Sequence, residues 1–179
     1  MFNNTLLESF YGDSSGSPVN LSSLTNGFYM FCDCTKLTSF NSDLRSLTNG
    51  DTMFKGCENL TSFNSDLRSL TNGDTMFDST SLTSFSSDLS NLVNGDGMFI
   101  SAALTSFNSD LSSLTNGDTM FRGTPLTSFS GDLSSLTDGS SMFYNCKLTP
   151  QSVMYIVESI RNITEEKTKY TNGEIPWVT

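Results

Sequence analysis

Hydrophobic residues recur along the chain with a period of 22 or 23 residues. The stretch LTSFNSDLRSLTNGDTMF stands unchanged at residues 37–54 and 60–77, and looser copies begin at Leu82, Leu104 and Leu126. The copies follow one another with no linker between them. A period of this length is typical of a solenoid, in which each repeat forms one coil stacked on the coil before it. The pattern therefore predicts about six stacked coils.

Six apolar positions in each repeat predict the interior of this stack. In the repeat that begins at Leu37 they are Leu37, Phe40, Leu44, Leu47, Met53 and Phe54. A buried side chain of this size contributes roughly 1.5–3 kcal/mol before conformational entropy is subtracted. The segment LTSFN, which opens the repeat, is typical of a short strand that pairs with its copies. We therefore expect a β-rich, leucine-rich-repeat-like solenoid with a parallel sheet along one side.

Polar residues within the repeat predict its bends. Asp43 and its copies precede a Leu-x-x-Leu step, where a carboxylate can accept a hydrogen bond from an N–H group two or three residues further on. The Asn49-Gly50 pair and its copies predict a bend in which glycine adopts a positive φ.

The four cysteines do not form the pattern of a disulfide framework. Cys34, Cys57 and Cys146 share one column of the repeat, whose other members are Thr80, Ala102 and Thr124. Interchange of cysteine with alanine and threonine predicts a small buried slot. Cys32 belongs to a different and mostly polar column, so we expect it to be exposed.

Both ends of the chain depart from the repeat. Met1-Phe2 matches the end of a repeat, which suggests a fragment of a longer array or a truncated coil, and the Ser-, Gly- and Pro-rich insertion at residues 11–20 predicts an exposed loop. After Thr149, apolar residues at helical spacing predict an amphipathic helix over residues 150–162 that caps the last coil. The tail beyond it suggests a short hairpin or a segment packed beside the helix. The predicted domains are thus a solenoid over residues 1–147 and a C-terminal cap over 148–179.

Composition argues against several classes of function. A net charge of −10 is unsuited to nucleic acid or an anionic membrane surface, and no apolar run is long enough to span a membrane. The first ten residues also lack the pattern of a signal peptide. The chain has no histidine, which excludes histidine-based catalysis, and its carboxylates repeat from coil to coil instead of forming a unique pair. We expect no enzyme activity and no cofactor.

Calcium is the one metal that the acidic columns bring into question. Carboxylates repeated once per coil would lie about 4.8 Å apart and repel one another. The nine-residue calcium-binding β-roll repeat is absent, however, and the Asp43 column has a capping role. We therefore expect solvated or capping carboxylates and no metal site.

The outward side of the predicted sheet is the candidate binding surface. It comprises Thr38, Thr61, Thr83, Thr105 and Thr127, with Asn41, Asn64 and Asn108 near its edge. A ladder of hydroxyl and amide groups suits a glycan or a repetitive protein surface, but threonine is also simply a good exposed strand residue. Another possible surface consists of apolar residues in otherwise polar columns, namely Phe28, Tyr29, Cys32, Ile100 and Tyr144.

The elements MFKGCENL, at residues 53–60, and MFYNCKL, at 142–148, resemble the repeats of BspA-like leucine-rich repeat proteins. The resemblance covers about residues 1–148 and implies a non-catalytic role in adhesion, binding or surface display on a bacterium or phage. Its implied partners are a protein or glycan on a cell surface and neighbouring domains of a longer chain. Its implied location is the cell surface, the extracellular space or a virion surface. The alternative function is a structural spacer or rigid rod within a longer surface or phage tail protein.

Overall fold

The computed structural model of the protein describes residues 1–8, 10 and 19–161. The elements are β1 (Ser39–Phe40), β2 (Ser62–Phe63), β3 (Ser106–Phe107), β4 (Ser128–Phe129) and α1 (Pro150–Arg161). Most of the predicted insertion and the whole of the predicted tail lie outside the described residues.

Consecutive repeats stack in register through three segments of each repeat. The strands pair in parallel, Ser39 with Ser62 and Ser106 with Ser128. Single-residue parallel bridges connect the asparagines of the Asn-Gly pairs from Asn26 as far as Asp138. In the segment that contains Met-Phe, alternate N–H groups donate to the next repeat, as Phe54 does to the Met76 carbonyl at 2.9 Å. Each repeat is therefore joined to its neighbour at several places around its perimeter.

The parallel sheet expected along one side is present only in part. The strands are two residues long and form two separate pairs, β1 with β2 and β3 with β4, while Ser84-Phe85 between them belongs to no strand. One reason for the short strands lies in the polar residues that follow, because Asp43 accepts a hydrogen bond from the Arg45 N–H group at 3.1 Å. Such local side-chain bonds turn the backbone away from an extended ladder.

The predicted apolar columns form the core. The leucine columns that begin at Leu37, Leu44 and Leu47 are buried in every complete repeat, as are the methionines of the Met-Phe pairs from Met53 onward. The phenylalanines form two parallel stacks, whose neighbouring ring centroids are 5.7–6.2 Å apart in one and 5.3–5.6 Å apart in the other. Rings of the two stacks meet edge to face, as Phe40 and Phe54 do at 4.7 Å. Both arrangements are favourable for aromatic pairs.

The glycines of the Asn-Gly pairs correct a second expectation. Gly27, Gly50, Gly73, Gly95 and Gly117 do not have a positive φ. Glycine is required there by a close approach, because a Cβ atom on Gly50 would lie 2.6 Å from the Met76 Sδ atom of the next repeat. Positive φ occurs instead beside the Met-Phe pair, for example at Thr52 and Gly56.

One prediction about the burial of the cysteines is confirmed, and another is wrong. Cys34 and Cys57 occupy a buried column, Cys146 at its end is half-buried, and all four cysteines are free thiols. Where the slot holds a cysteine or threonine, the side chain can donate a hydrogen bond: the Cys57 Sγ atom donates to the Phe31 carbonyl at 3.1 Å, and the Thr124 hydroxyl donates to the Phe121 carbonyl at 2.8 Å. Cys32, expected at the surface, is only 2% exposed, and burial raises its thiol pKa to about 11.

Helix α1 packs against the last repeat, as predicted. Thr149 caps its first turn, with the Ser152 N–H group donating to the Thr149 hydroxyl at 3.4 Å. Ile156 is buried in the core. On the same face, Ser152 accepts from the Phe129 N–H group at 3.1 Å and Ser159 accepts from the Leu133 N–H group at 2.7 Å. The helix thus supplies hydrogen-bond partners to backbone groups of the last repeat.

Candidate functional site

The predicted binding surface lies on the outside of the repeats. We call it the Thr face and define it by Thr38, Thr61, Thr83, Thr105 and Thr127 with Asn41, Asn64 and Asn108. All eight residues are exposed, and the threonines occupy equivalent positions just before the strands or, at Thr83, before the residues that replace a strand. The structure therefore places these residues in one repeated row.

Four of the five threonine hydroxyls of the Thr face, those of Thr38, Thr61, Thr105 and Thr127, donate hydrogen bonds to backbone carbonyls of the preceding repeat. The Thr61 hydroxyl donates to the Thr38 carbonyl at 3.2 Å, and the Thr127 hydroxyl donates to the Thr105 carbonyl at 3.1 Å. Thr38 bonds the Glu8 carbonyl in the same way, at 3.4 Å. Each of these bonds crosses from one repeat to the preceding one and fixes the side-chain rotamer. The row is thus pre-organised, which reduces the entropy lost when a ligand binds.

This bonding determines what the Thr face offers to a ligand. A hydroxyl group has one proton and two acceptor lone pairs. Because the proton is directed to a backbone carbonyl, the oxygen presents only acceptor capacity to solvent, beside a methyl group. The exposed amides of Asn41, Asn64 and Asn108 add both donors and acceptors. The surface is therefore suited to a ligand with many donors, such as a glycan or the polar side chains of a protein.

Sequence reasoning missed a second threonine column. Thr48, Thr71 and Thr137 are exposed, and their hydroxyls donate to the carbonyls of Thr25, Thr48 and Thr115 at 3.0, 3.0 and 2.7 Å. The signal was present, because the repeat contains Leu-Thr twice, once in LTSF and once in LTNG. The same chemistry at two columns shows that threonine serves to join repeats at the surface.

The first acidic column has the predicted capping role. Asp43, Asp66, Asp88, Asp110 and Asp132 each accept a hydrogen bond from the backbone N–H group two residues further on. Two of them also pair with arginine, Asp43 with Arg45 and Asp66 with Arg68. Hydrogen bonds from these guanidinium groups lower the pKa of both carboxyls. These carboxylates are therefore engaged in local turns.

The second acidic column is less solvated than expected. Asp51, Asp74, Asp96 and Asp118 are half-buried. Burial, followed by repulsion from the neighbouring carboxylates of the column, raises the pKa of Asp74 and of Asp118. Within the part of the chain that the structure describes, no group of three or more acidic, cysteine or histidine side chains is arranged to hold a metal ion.

The alternative apolar surface is only partly present. Phe28 and Tyr29 are 54% and 42% exposed and contact each other edge to face, with centroids 4.8 Å apart. Tyr144 is exposed at the other end and carries the Arg122 guanidinium over its ring at 5.5 Å. Cys32 is buried, so it does not belong to this surface. The exposed aromatic residues thus lie near the two ends and form no continuous row.

Comparison with known proteins identifies the repeat. The model of the BspA type leucine-rich repeat region matches residues 24–149 in six copies. No curated protein and no solved structure matches the chain. Among the helices that the structure describes, none has the length and apolar character needed to cross a membrane.

Proposed function

Because the chain belongs to the BspA-type leucine-rich repeat family, we propose that it is a non-catalytic binding or adhesion module that recognises a cell-surface ligand through the Thr face. The family is compatible with surface proteins that act by adhesion, and this supports a location at the cell surface, outside the cell or on a virion. The observation that carries the proposal is the row of exposed threonines at equivalent positions of five consecutive repeats.

The proposed architecture is a solenoid. Its support is the set of hydrogen bonds that connects every repeat to the next, from the Gly27 N–H group to the Asn49 carbonyl at one end and from Gly117 to Asp138 at the other. In such an arrangement identical surface groups repeat at a spacing of about 4.8 Å. A ligand with its own repeating donors, such as a glycan chain, would contact several repeats at once and gain affinity from each.

The absence of enzyme activity is part of the proposal. The chain contains no histidine, and its carboxylates repeat from one repeat to the next or cap turns. Catalysis by general acid and base needs two groups in different environments with different pKa values. Equivalent positions of a regular stack do not provide that difference, so binding is the better explanation of the surface. We propose no cofactor and no nucleic-acid partner.

A structural spacer is the second candidate, and one observation favours it. The threonine hydroxyls donate to carbonyls of the preceding repeat in both threonine columns, which explains their presence without any ligand. Under this alternative the stack is a rigid rod that positions neighbouring domains of a longer chain. The two candidates make different predictions for a binding screen.

The test is a glycan array and a screen of cell-surface proteins with the purified chain. The test variant carries Thr61→Lys, Thr105→Lys and Thr127→Lys, which places bulk and charge on the Thr face. The matched control carries Thr48→Lys, Thr71→Lys and Thr137→Lys in the second column, where the hydroxyls have the same bonding. Circular dichroism of both variants checks that they fold.

Binding that is lost in the Thr-face variant and kept in the control supports the proposed site. Binding that survives in the Thr-face variant rules out this face as the site. If a well-folded sample binds nothing in either screen, the spacer function is the better account of the protein.

A further inference from the structure

The asparagines of the Asn-Gly pairs bridge consecutive repeats, and we call this series of bridges the asparagine ladder. Asn-Gly is also the most easily deamidated pair in a polypeptide. Five Asn-Gly steps lie at equivalent positions, at Asn26, Asn49, Asn72, Asn94 and Asn116. Glycine has no Cβ atom to obstruct attack by its own backbone nitrogen on the preceding side chain. An unfolded chain of this sequence would therefore lose these amides readily.

Packing requires both residues of the pair. The glycine lies against the methionine of the next repeat, and a Cβ atom on Gly27 would lie 2.5 Å from the Met53 Sδ atom. The asparagine connects repeats through its side chain, since the Asn94 Nδ2 atom donates to the Asn72 Oδ1 atom at 2.9 Å and Asn116 donates to Asn94 at the same distance. Replacement of the asparagine would therefore remove a hydrogen bond between repeats, and replacement of the glycine would create a clash with the methionine.

Hydrogen bonds also engage the groups that would take part in deamidation, namely the glycine nitrogen and the asparagine side chain. Each glycine nitrogen that would attack donates its hydrogen to the backbone carbonyl of the next repeat, with N–O distances of 2.7–2.8 Å at all five steps. The side-chain oxygen is also engaged, because the Asn49 Oδ1 atom accepts from the Asp51 N–H group at 3.1 Å. This bond turns the side-chain amide toward the residue after the glycine.

We propose that the five Asn-Gly steps are latent deamidation sites, which the bonds between repeats protect and which become reactive when an individual repeat detaches from its neighbour. In the reaction the glycine nitrogen forms a bond to the asparagine Cγ atom. The Cγ–Nδ2 bond breaks, and ammonia leaves with the proton from the glycine nitrogen. Solvent water then opens the cyclic imide to aspartate or isoaspartate.

The last repeat shows what a carboxylate does at this position. Asp138 replaces asparagine there, and it keeps the backbone bridge to Asn116 and the cap on the Ser140 N–H group at 3.1 Å. An ionised carboxylate has no hydrogen to donate, however. Within the ladder, an aspartate at residue 94 would remove the shorter of the two hydrogen bonds that the Asn72 Oδ1 atom accepts and leave only the one from the Asp74 N–H group at 3.3 Å. It would also add a charge near the half-buried acidic column. Deamidation is therefore expected to weaken the junction at which it occurs.

The order of reactivity follows from position in the stack. Asn26 is exposed and is the first asparagine of the ladder, whereas the other four asparagines are half-buried. Terminal repeats have a neighbour on one side only and open more easily than internal ones. Helix α1 supports the opposite end. We therefore expect Asn26 to react first in the native protein and Asn72 and Asn94 last.

The experiment is peptide mapping by mass spectrometry during incubation at mildly alkaline pH. The native chain is compared with the same chain unfolded in urea, and the loss of amide is followed separately at each of the five sites. We expect deamidation in the native chain to be at least about tenfold slower at Asn72 and Asn94, because it requires a rare local opening. Equal rates in native and unfolded chains at these sites would overturn the proposal.

Two matched variants test whether opening is local. Phe10→Ala removes a ring that contacts Phe31 at 4.9 Å in the first repeats, and Ile156→Ala removes the buried contact of the C-terminal helix. We expect the first variant to accelerate deamidation at Asn26 and the second at Asn116. Circular dichroism verifies that both remain folded. Equal acceleration at all five sites in both variants would show that only global unfolding exposes the amides, and would refute the repeat-by-repeat mechanism.

Discussion

At the scale of single residues, the glycine of the Asn-Gly pair is required by a contact with the next repeat and not by the geometry of a local turn. Its role is to admit the methionine of the next repeat, which is fully buried and cannot move aside without disturbing the core. The sequence pattern indicated a special backbone conformation, because Asn-Gly is a frequent turn pair. The actual cause is a contact between residues 25 or 26 positions apart, which a local pattern does not reveal.

Substitution of one such glycine should therefore destabilise the protein. In Gly50→Ala the new methyl group would lie 2.6 Å from the Met76 Sδ atom and 3.3 Å from the Leu70 Cδ1 atom. We expect a loss of about 1–3 kcal/mol in the free energy of unfolding, as is typical of an overpacked core, measured by urea denaturation. The control is a double-mutant cycle with Met76→Ala, in which the cost of the new methyl group should largely disappear. An increase in stability, which Gly→Ala often gives at an unstrained position, would contradict the assigned contact.

At the scale of elements, the C-terminal helix shows what hydrophobic patterning finds and what it overlooks. The apolar spacing after Thr149 predicted the helix and its contact with the last repeat. The hydrophobic pattern did not identify Ser152 and Ser159, because serine contributes nothing to a hydrophobic period. Those two serines accept hydrogen bonds from backbone N–H groups of the last repeat. The same limitation applies to the sheet, whose two-residue strands depend on side-chain bonds of the following turn.

Loss of one of these serines should cost more than loss of an exposed side chain of the same helix. Ser159→Ala removes the acceptor of the Leu133 N–H group, and Leu133 is fully buried. A buried donor without a partner costs about 1–3 kcal/mol, which urea denaturation would detect. The matched control is Met154→Ala, since Met154 is 57% exposed on the same helix. Equal effects of the two substitutions would show that the serine has no special role.

At the scale of the whole molecule, the repeat period and the apolar columns could be predicted from the sequence, because equivalent side chains are buried at the same positions of each repeat. Columns that vary were harder to interpret, as Cys32 shows. Its equivalents include Lys55, which pairs with Asp78 at 3.1 Å, and the exposed Tyr144. Burial in that column depends on the neighbours of each repeat. The exposure of the Thr face could be predicted because each threonine follows a buried leucine. The hydrogen bonds of its hydroxyls to carbonyls of the preceding repeat could not.

The pH dependence of stability should reflect the two acidic columns acting in opposite directions. Asp74 and Asp118 have raised pKa values in the fold, so their ionisation destabilises the folded state, and this penalty is relieved as pH falls through their raised pKa values. Asp43 and Asp66 have lowered pKa values, so their contribution is lost only as pH falls below the ordinary value of 3.8. We therefore expect the melting temperature to rise as pH falls from neutral towards the ordinary aspartate value of 3.8, and to fall at more acidic pH.

The control for this prediction is Asp74→Asn together with Asp118→Asn. This double variant should melt at a higher temperature than the parent chain near neutral pH and should show a smaller rise on acidification. A parent chain whose melting temperature falls steadily from neutral pH would show that the second acidic column does not govern its stability.

The bonds between repeats also determine how the molecule would respond to mechanical force. They run from one repeat to the next, as from Phe31 to Met53 and from Phe54 to Met76, and therefore lie along the direction of stacking. A pull along that direction loads all junctions in series, and the bonds of one junction can open without a long row of bonds shearing together. A tethered stack would then lengthen in steps of one repeat, and each detached repeat could return to the same place when tension is released.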